Sequence, residues 1–178
     1  GVDTSHLTPS FMRQHIYYIP QKTQLFNGTL KDNLLLGLEQ DHISDSDLLE
    51  SAKLTGLANL ITAHPRGLGL MISEGGRGLS GGQQQLVALT QLVLRIRRTP
   101  PKLLLLDEPT SALDGATEQF IMQTLANLVH DMNCSLVFVT HKFSQLNHAD
   151  RVLVMDKGKI IADGSKAEIL PRLSGAKS

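Results

Sequence analysis

Two adjacent carboxylates, Asp107 and Glu108, close an uninterrupted apolar run, Leu103 to Leu106, and are followed at once by Pro109. Four consecutive leucines running into a turn describe a strand buried on both faces, the middle strand of a parallel sheet. Such a strand releases its last residues at the edge where open α/β sheets place ligands, so the two acids are delivered to a phosphate or metal site, where a carboxylate can serve the cation. Upstream, Ser80 precedes Gly81, Gly82 and Gln83. A serine N-cap followed by two glycines leaves backbone N–H groups open to an anion at the positive end of a helix. Gln21 follows Pro20, where an amide can face a cation through its oxygen or hold a water without committing charge. His141 stands at the end of a further apolar run, Ser135 to Thr140. Taken singly these residues also read as solvated acids, an ordinary loop amide, a common helix start and a passive surface histidine; the chemistry they could share is the handling of a phosphate with its cation and a water.

The elements that must position them follow from the pattern along the chain. Gly1 to Arg13 is polar and turn-rich, with Pro9 holding Thr8 extended, and leads into a strand over His15 to Ile19. Leu25 to Gly37 carries the turn signal Asn27-Gly28 and then a short helix that Gly37 can cap. Asp41 to Asp47 is acidic, and Ser44 with Asp47 matches a capping box for a helix with Leu48, Ala52, Leu57, Leu60 and Ile61 on its apolar face. Five glycines between Pro65 and Gly78 mark an irregular loop. A helix then runs from Ser80 through Val87, Leu89, Leu92, Val93 and Ile96 to Arg95, Arg97 and Arg98, cations that suit its C-terminus, and Thr99-Pro100-Pro101 ends it. A helix bearing Phe120, Ile121, Leu125, Leu128 and Val129 covers the sheet as a crossover, and Ser135 to Thr140 reads as the next buried strand. Arg151 to Asp156 and Lys159 to Asp163 form a hairpin through Lys157-Gly158, and Lys166 to Leu173 closes with a helix.

Composition bounds the function. Lys plus Arg equals Asp plus Glu at 17 each, so there is no basic field to hold nucleic acid. Cys134 is the single cysteine and suits a reducing compartment as a structural thiol. No apolar run approaches the roughly 20 residues of a membrane helix, so contact with a membrane falls to another segment or chain.

Taken in order, Tyr18-Ile19-Pro20-Gln21, Leu79-Ser80-Gly81-Gly82-Gln83, the Leu103–Glu108 strand with Ser111-Ala112-Leu113-Asp114, and Thr140-His141 resemble the ATPase domain of the ATP-binding cassette (ABC) family. They match its Q-loop, its LSGGQ signature, its Walker B strand with the D-loop, and its switch histidine. The resemblance covers nearly the whole chain and implies an α/β fold, a P-loop NTPase-like, mostly parallel sheet with a helical subdomain. It divides the chain into 1–42 (core and Q-loop), 43–98 (helical subdomain and signature) and 99–178 (core with Walker B, D-loop and switch histidine). It implies ATP and Mg2+, with Asp107 holding the metal through water, Glu108 polarising the attacking water, Gln21 sensing metal and γ-phosphate, and His141 contacting that phosphate. Ser80, Gly81, Gly82 and Gln83 would serve a nucleotide bound mainly to a second ABC ATPase domain in a two-fold sandwich, with Asp114 crossing between the sites. The other six histidines match no motif.

Two departures stand in the signature helix: Gln84, where the family commonly has arginine, and the neighbourhood of Gln91, where it commonly has another. The phosphate-cradling form GxxxxGK[ST] appears nowhere in the 178 residues. The resemblance places it ahead of Gly1, on a strand lying between those of Ser135–Thr140 and Arg151–Asp156. Without it, these two strands are expected to pair directly, to pair with a second chain, or to enclose a segment outside this sequence. Ser73-Glu74-Gly75-Gly76 resembles the exporter-specific loop, and Glu74 is either the residue it presents to a transmembrane domain or a plain solvated acid. The run SEGGRGLSGGQ, VALTQLVLR and the ending KGKIIADGSKAEIL resemble bacterial type I protein-secretion ATPases. These work at the cytoplasmic face of the inner membrane with an adaptor and an outer-membrane channel. A lipid or drug exporter and a non-catalytic ABC module are the alternatives.

Overall fold

The structure, a computed structural model, describes residues 3–38 and 43–175, so His42 and the start of the acidic stretch at Asp41 lie outside the described residues. The chain divides after Val139 into two units. The first contains α1 (Pro9–His15), β1 (Ile16–Ile19), β2 (Gly28–Thr29), α2 (Leu30–Leu34), α3 (Asp45–Thr55), α4 (Ala58–Ala63), β3 (Met71–Ile72), α5 (Gly81–Arg98), β4 (Leu103–Asp107), α6 (Gly115–Asp131) and β5 (Ser135–Val139). The second contains β6 (Arg151–Asp156), β7 (Lys159–Ser165) and α7 (Lys166–Gly175).

In the first unit β1, β4 and β5 form a parallel sheet with β4 in the middle, the order the leucine run calls for. Register aligns Tyr17, Leu104 and Leu136 on one face and Tyr18, Leu105 and Val137 on the other. The first face is packed: Leu104 and Leu106 are buried with Tyr17, Leu89, Leu92, Ile96, Ile121 and Leu125 in one apolar cluster. The second face is bare, with Tyr18 59 % and Val137 52 % exposed. The expectation of a strand buried on both faces therefore holds for one face of β4, because α5 and α6 supply side chains to that face alone. Likewise β5 is an edge strand with Val139 59 % exposed, in place of the buried strand read from its composition.

The α5 helix is the spine of the unit. Val87 and Leu94, seven positions apart, enter a second apolar cluster with Leu30, Leu34, Leu48, Leu57 and Ile72, while Leu89, Leu92 and Ile96 enter the sheet cluster. A helix packed on two sides needs a wide apolar surface, and Leu86 to Leu94 supplies it with Thr90 and Gln91 as its polar members, while Arg95, Arg97 and Arg98 are exposed. Tyr17 fixes its end: the phenol donates to the Thr99 carbonyl at 2.8 Å, and the Arg95 guanidinium sits 4.5 Å over the ring.

Local differences from the sequence reading have plain causes. The N-terminal stretch is helical, not a polar lead-in, because Thr8 accepts from the Phe11 amide as N-cap and Pro9 occupies the first helical position. That helix absorbs His15, so the strand starts at Ile16. The single helix read over Leu48 to Ile61 is two, broken at Gly56 with φ 80° in the left-handed region. The Ser44–Asp47 capping box is formed as expected. On α6, Phe120 is 49 % exposed, and Met122 and Glu118 are buried in its stead.

In the second unit β6 and β7 form the expected hairpin, with Lys157 and Gly158 at φ 47° and 77° as a two-residue turn of this hand demands. Val152 and Ile169 are buried there, Arg151 pairs with Asp163 at 2.7 Å, and the Ser165 amide donates to Glu168 at the start of α7. Within each unit the pairing is local to it: β5 pairs with β4 in the first and β6 with β7 in the second.

Candidate functional site

Parallel register brings two of the expected residues together. Ile19 lies opposite Leu106, so the residues two positions further on, Gln21 and Glu108, leave the sheet side by side. The Gln21 side-chain amide donates to Glu108 Oε2 at 2.7 Å. Asp107, the last residue of β4, is half-buried and pairs in register with Val139. Glu108 adopts φ 46°, left-handed backbone that non-glycine residues avoid. It is held there by its own amide donating to the Val139 carbonyl at 3.0 Å and by its carbonyl accepting from the Ser111 amide at 3.2 Å. Backbone held in so unfavoured a conformation is typical of residues whose direction matters to function.

The glycine-flanked helix start is built as the spacing implies. Ser80 Oγ accepts from the Gln83 amide at 3.2 Å, and Gln83 Oε1 accepts from the Ser80 amide at 2.9 Å, a complete capping box. Gly81 and Gly82 begin α5, and a Cβ on Gly82 would stand 3.0 Å from the Ala112 carbonyl oxygen. That closeness explains the glycine: the helix start is pressed against the turn that follows Glu108. Asp114 caps α6, accepting from the Ala116 and Thr117 amides and from the Thr117 hydroxyl at 2.7 Å. These bonds, the Thr117 amide first, hold its carboxyl below the usual carboxylate range. His141 is exposed and belongs to the second unit, whereas Gln21 and Glu108 belong to the first. Glu74 is exposed at the start of a short 3-10 turn, Glu74–Gly76.

A family model described as ABC transporter matches residues 1–111. The chain belongs to the ABC transporter family. It is 36 % identical over 160 residues to the ABC-type transmembrane transporter verA of Clonostachys rogersoniana, covering 90 % of this chain and 12 % of that protein. It is 34 % identical over 170 residues to the ABC multidrug transporter MDR2 of Trichophyton interdigitale, covering 96 % of this chain and 12 % of that one. Among solved structures, a bacterial Atm1-family ABC exporter with ATP bound superposes with a TM-score of 0.84 at 32 % identity, over 96 % of this chain and 29 % of that chain. The chain thus spans about an eighth of the length of these two relatives. Its α/β fold is the ABC ATPase fold. No helix among the described residues is long and apolar enough to cross a membrane.

Within this ABC fold the two departures in the signature helix have definite contacts. Gln84 donates to the Gly76 and Leu79 carbonyls at 3.1 and 3.2 Å, tying the glycine loop to α5. Gln91 donates to the Asn33 carbonyl, and Asn33, fully buried, holds the Phe26 amide and the Phe26 and Thr29 carbonyls with its side chain. The neutral amides satisfy backbone groups without bringing a charge into the interior. One residue the motif reading missed is Gln85. It is buried on the stripe of Leu89, Leu92 and Ile96, and a polar residue in an apolar stripe was the signal that could have marked it.

Proposed function

We propose that this chain serves in the ATP-binding and hydrolysing domain that powers an ABC exporter. The observation that carries the reading is the Gln21–Glu108 hydrogen bond at the C-terminal edge of the parallel sheet, beside Asp107. The residues fit a magnesium-bound phosphate. Asp107 and the Gln21 amide oxygen are hard oxygen donors of the kind that bind Mg2+ together with substrate phosphates, and the Gln21 oxygen accepts no hydrogen bond among the described residues. When bound, that cation supplies neutralisation of the charge spreading over the phosphate oxygens. Glu108 then orients a water and draws off its proton, Gln21 holds the carboxylate in place, and His141 contacts the terminal phosphate. Ser80, Gly81, Gly82 and Gln83 form the helix start that serves the nucleotide of a second ABC ATPase domain through the Gly81 and Gly82 amides, which the Ser80–Gln83 capping box leaves open, and Asp114 crosses between the two sites.

The layout that serves this is 1–42 for the core and Q-loop, 43–98 for the helical subdomain with the signature, and 99–178 for the rest of the core. A transmembrane domain is the partner that turns ATP-driven closure into transport, and the Gly76 loop with Glu74 is the face offered to it. Export of polypeptides across a bacterial inner membrane, with an adaptor and an outer-membrane channel, rests on the SEGGRGLSGGQ run. A drug exporter is favoured instead by the name of the Trichophyton relative, and a lipid exporter is a further alternative that this name does not support.

Because the P-loop form is absent from these residues, and its amides and Lys supply most phosphate contacts, the chain alone binds ATP weakly and hydrolyses essentially none. The test is a titration of labelled ATP with Mg2+ into the chain alone and into the chain with the Walker A segment of a related exporter joined ahead of it. Turnover in the joined form and none in the chain alone is expected. A folded joined form without turnover overturns the ATPase reading, and tight binding with turnover by the chain alone overturns the dependence on that segment.

A further inference from the structure

Gln85 grips the Glu108 turn from the first turns of α5. Its Nε2 donates to Ser111 Oγ at 3.0 Å and to the Glu108 carbonyl at 3.4 Å, while its Oε1 accepts from the Ala112 amide at 2.9 Å. The side chain is 7 % exposed, so these bonds are made away from competing water, where leaving one unmade is costly. They secure the residue whose backbone is in the left-handed region, Glu108, and the positions after it that matter to its direction. Gly82, three positions earlier on the same helix, packs against the carbonyl of the same Ala112. The first turn of α5 and the 108–112 turn are therefore joined at two points that share one residue.

From this geometry we infer that Gln85 is a positioning residue: it locks the Glu108 turn to the start of the signature helix and so sets where the Glu108 carboxylate stands. The inference rests on Glu108 being the hydrolytic carboxylate. An amide is what the place requires. The turn presents an acceptor at the Glu108 carbonyl and a donor at the Ala112 amide, and glutamine answers both from one end group. Glutamate would keep the acceptor and lose the donor, and leucine would lose both while filling similar space. Since residues 80–83 stand one turn away on the same rigid helix, a displacement of the helix start by a nucleotide is passed to Glu108 through this amide.

The test uses the full chain, labelled for NMR, as wild type, Gln85→Leu and Gln85→Glu. Gln85→Leu is expected to raise hydrogen exchange at the Ala112 amide by roughly tenfold and to shift the Gln21 side-chain amide signals, with the Leu104 and Val93 amides unchanged. Gln85→Glu keeps Ala112 protected yet still shifts Gln21, which separates loss of the donor from general loosening. In the ATP-hydrolysing joined form both variants should lose roughly tenfold to a hundredfold in kcat with KM little changed. Unmoved Gln21 signals in both variants overturn the inference, as does unchanged kcat where Glu108→Gln is inactive. A Glu108→Gln variant that still turns over sinks the underlying reading instead, and the Gln21 shifts then decide by themselves whether Gln85 positions the turn. Should Gln85→Leu fail to fold, Gln85→Glu carries the test.

Discussion

The amide of Gln21 meets the Glu108 carboxylate at 2.7 Å across 87 positions of sequence because β1 and β4 run parallel in a register that levels Ile19 with Leu106. The contact is a consequence of the ladder. Any slip of one residue would turn one of the two side chains to the opposite face and separate the pair.

Glu108→Gln keeps the shape and the contact length but removes the basicity a general base needs. In the joined, ATP-hydrolysing form this variant should bind ATP as wild type does and lose about two to four orders of magnitude in turnover. It should accumulate as an ATP-bound dimer on size exclusion. Near-normal hydrolysis would take Glu108 out of the catalytic role.

Much of this arrangement was legible in the sequence, and the reasons differ by element. The order β1, β4, β5 with β4 central follows from the run Leu103–Leu106, which admits few other environments. The Ser80 and Ser44 capping boxes are local rules that tertiary packing had no reason to override. The bare second face of the sheet was not legible, since alternation cannot tell a face that will be covered from one that is apolar and open. Gln85 escaped for a related reason: its partners are two backbone groups and the Ser111 hydroxyl of a turn 23 to 27 positions away, and no spacing rule encodes them.

Asp114 offers a pH test of its capping role. The amides and hydroxyl of Ala116 and Thr117 depress its pKa, so its contribution to stability is present above the ordinary carboxylate value of about 4 and is lost as the pH falls through the lower native value. Asp114→Asn keeps a capping side chain without that titration. The stability difference between wild type and the variant, from urea midpoints, should therefore shrink between about pH 5 and about pH 2. A difference independent of pH would mean that Asp114 is not the ionised cap of α6.

Leu104 is fully buried on the packed face of β4 against the α5 and α6 side chains. Leu104→Ala removes most of that contact and leaves a cavity the sheet cannot collapse into, at an expected cost of about 2 to 5 kcal/mol in urea denaturation. A loss well below about 1 kcal/mol would place the centre of the core elsewhere.

The open side of β5 should make the chain self-associate. Among the described residues β5 pairs with β4 alone, which leaves a row of backbone N–H and C=O groups at its other edge. The same strand shows Val137 and Val139, 52 % and 59 % exposed, on the bare sheet face beside Tyr18. An unpaired edge next to exposed β-branched side chains is a template for another strand, whether from a second copy or from a segment ahead of Gly1. Sedimentation of the chain alone should show concentration-dependent association, and Val137→Lys should weaken it, because a lysine ammonium on that face resists desolvation and repels its counterpart. Joining the Walker A segment should weaken it as well, if the segment's strand takes the edge. A chain that stays monomeric at every concentration, with Val137→Lys no different, would show that the edge is protected in solution.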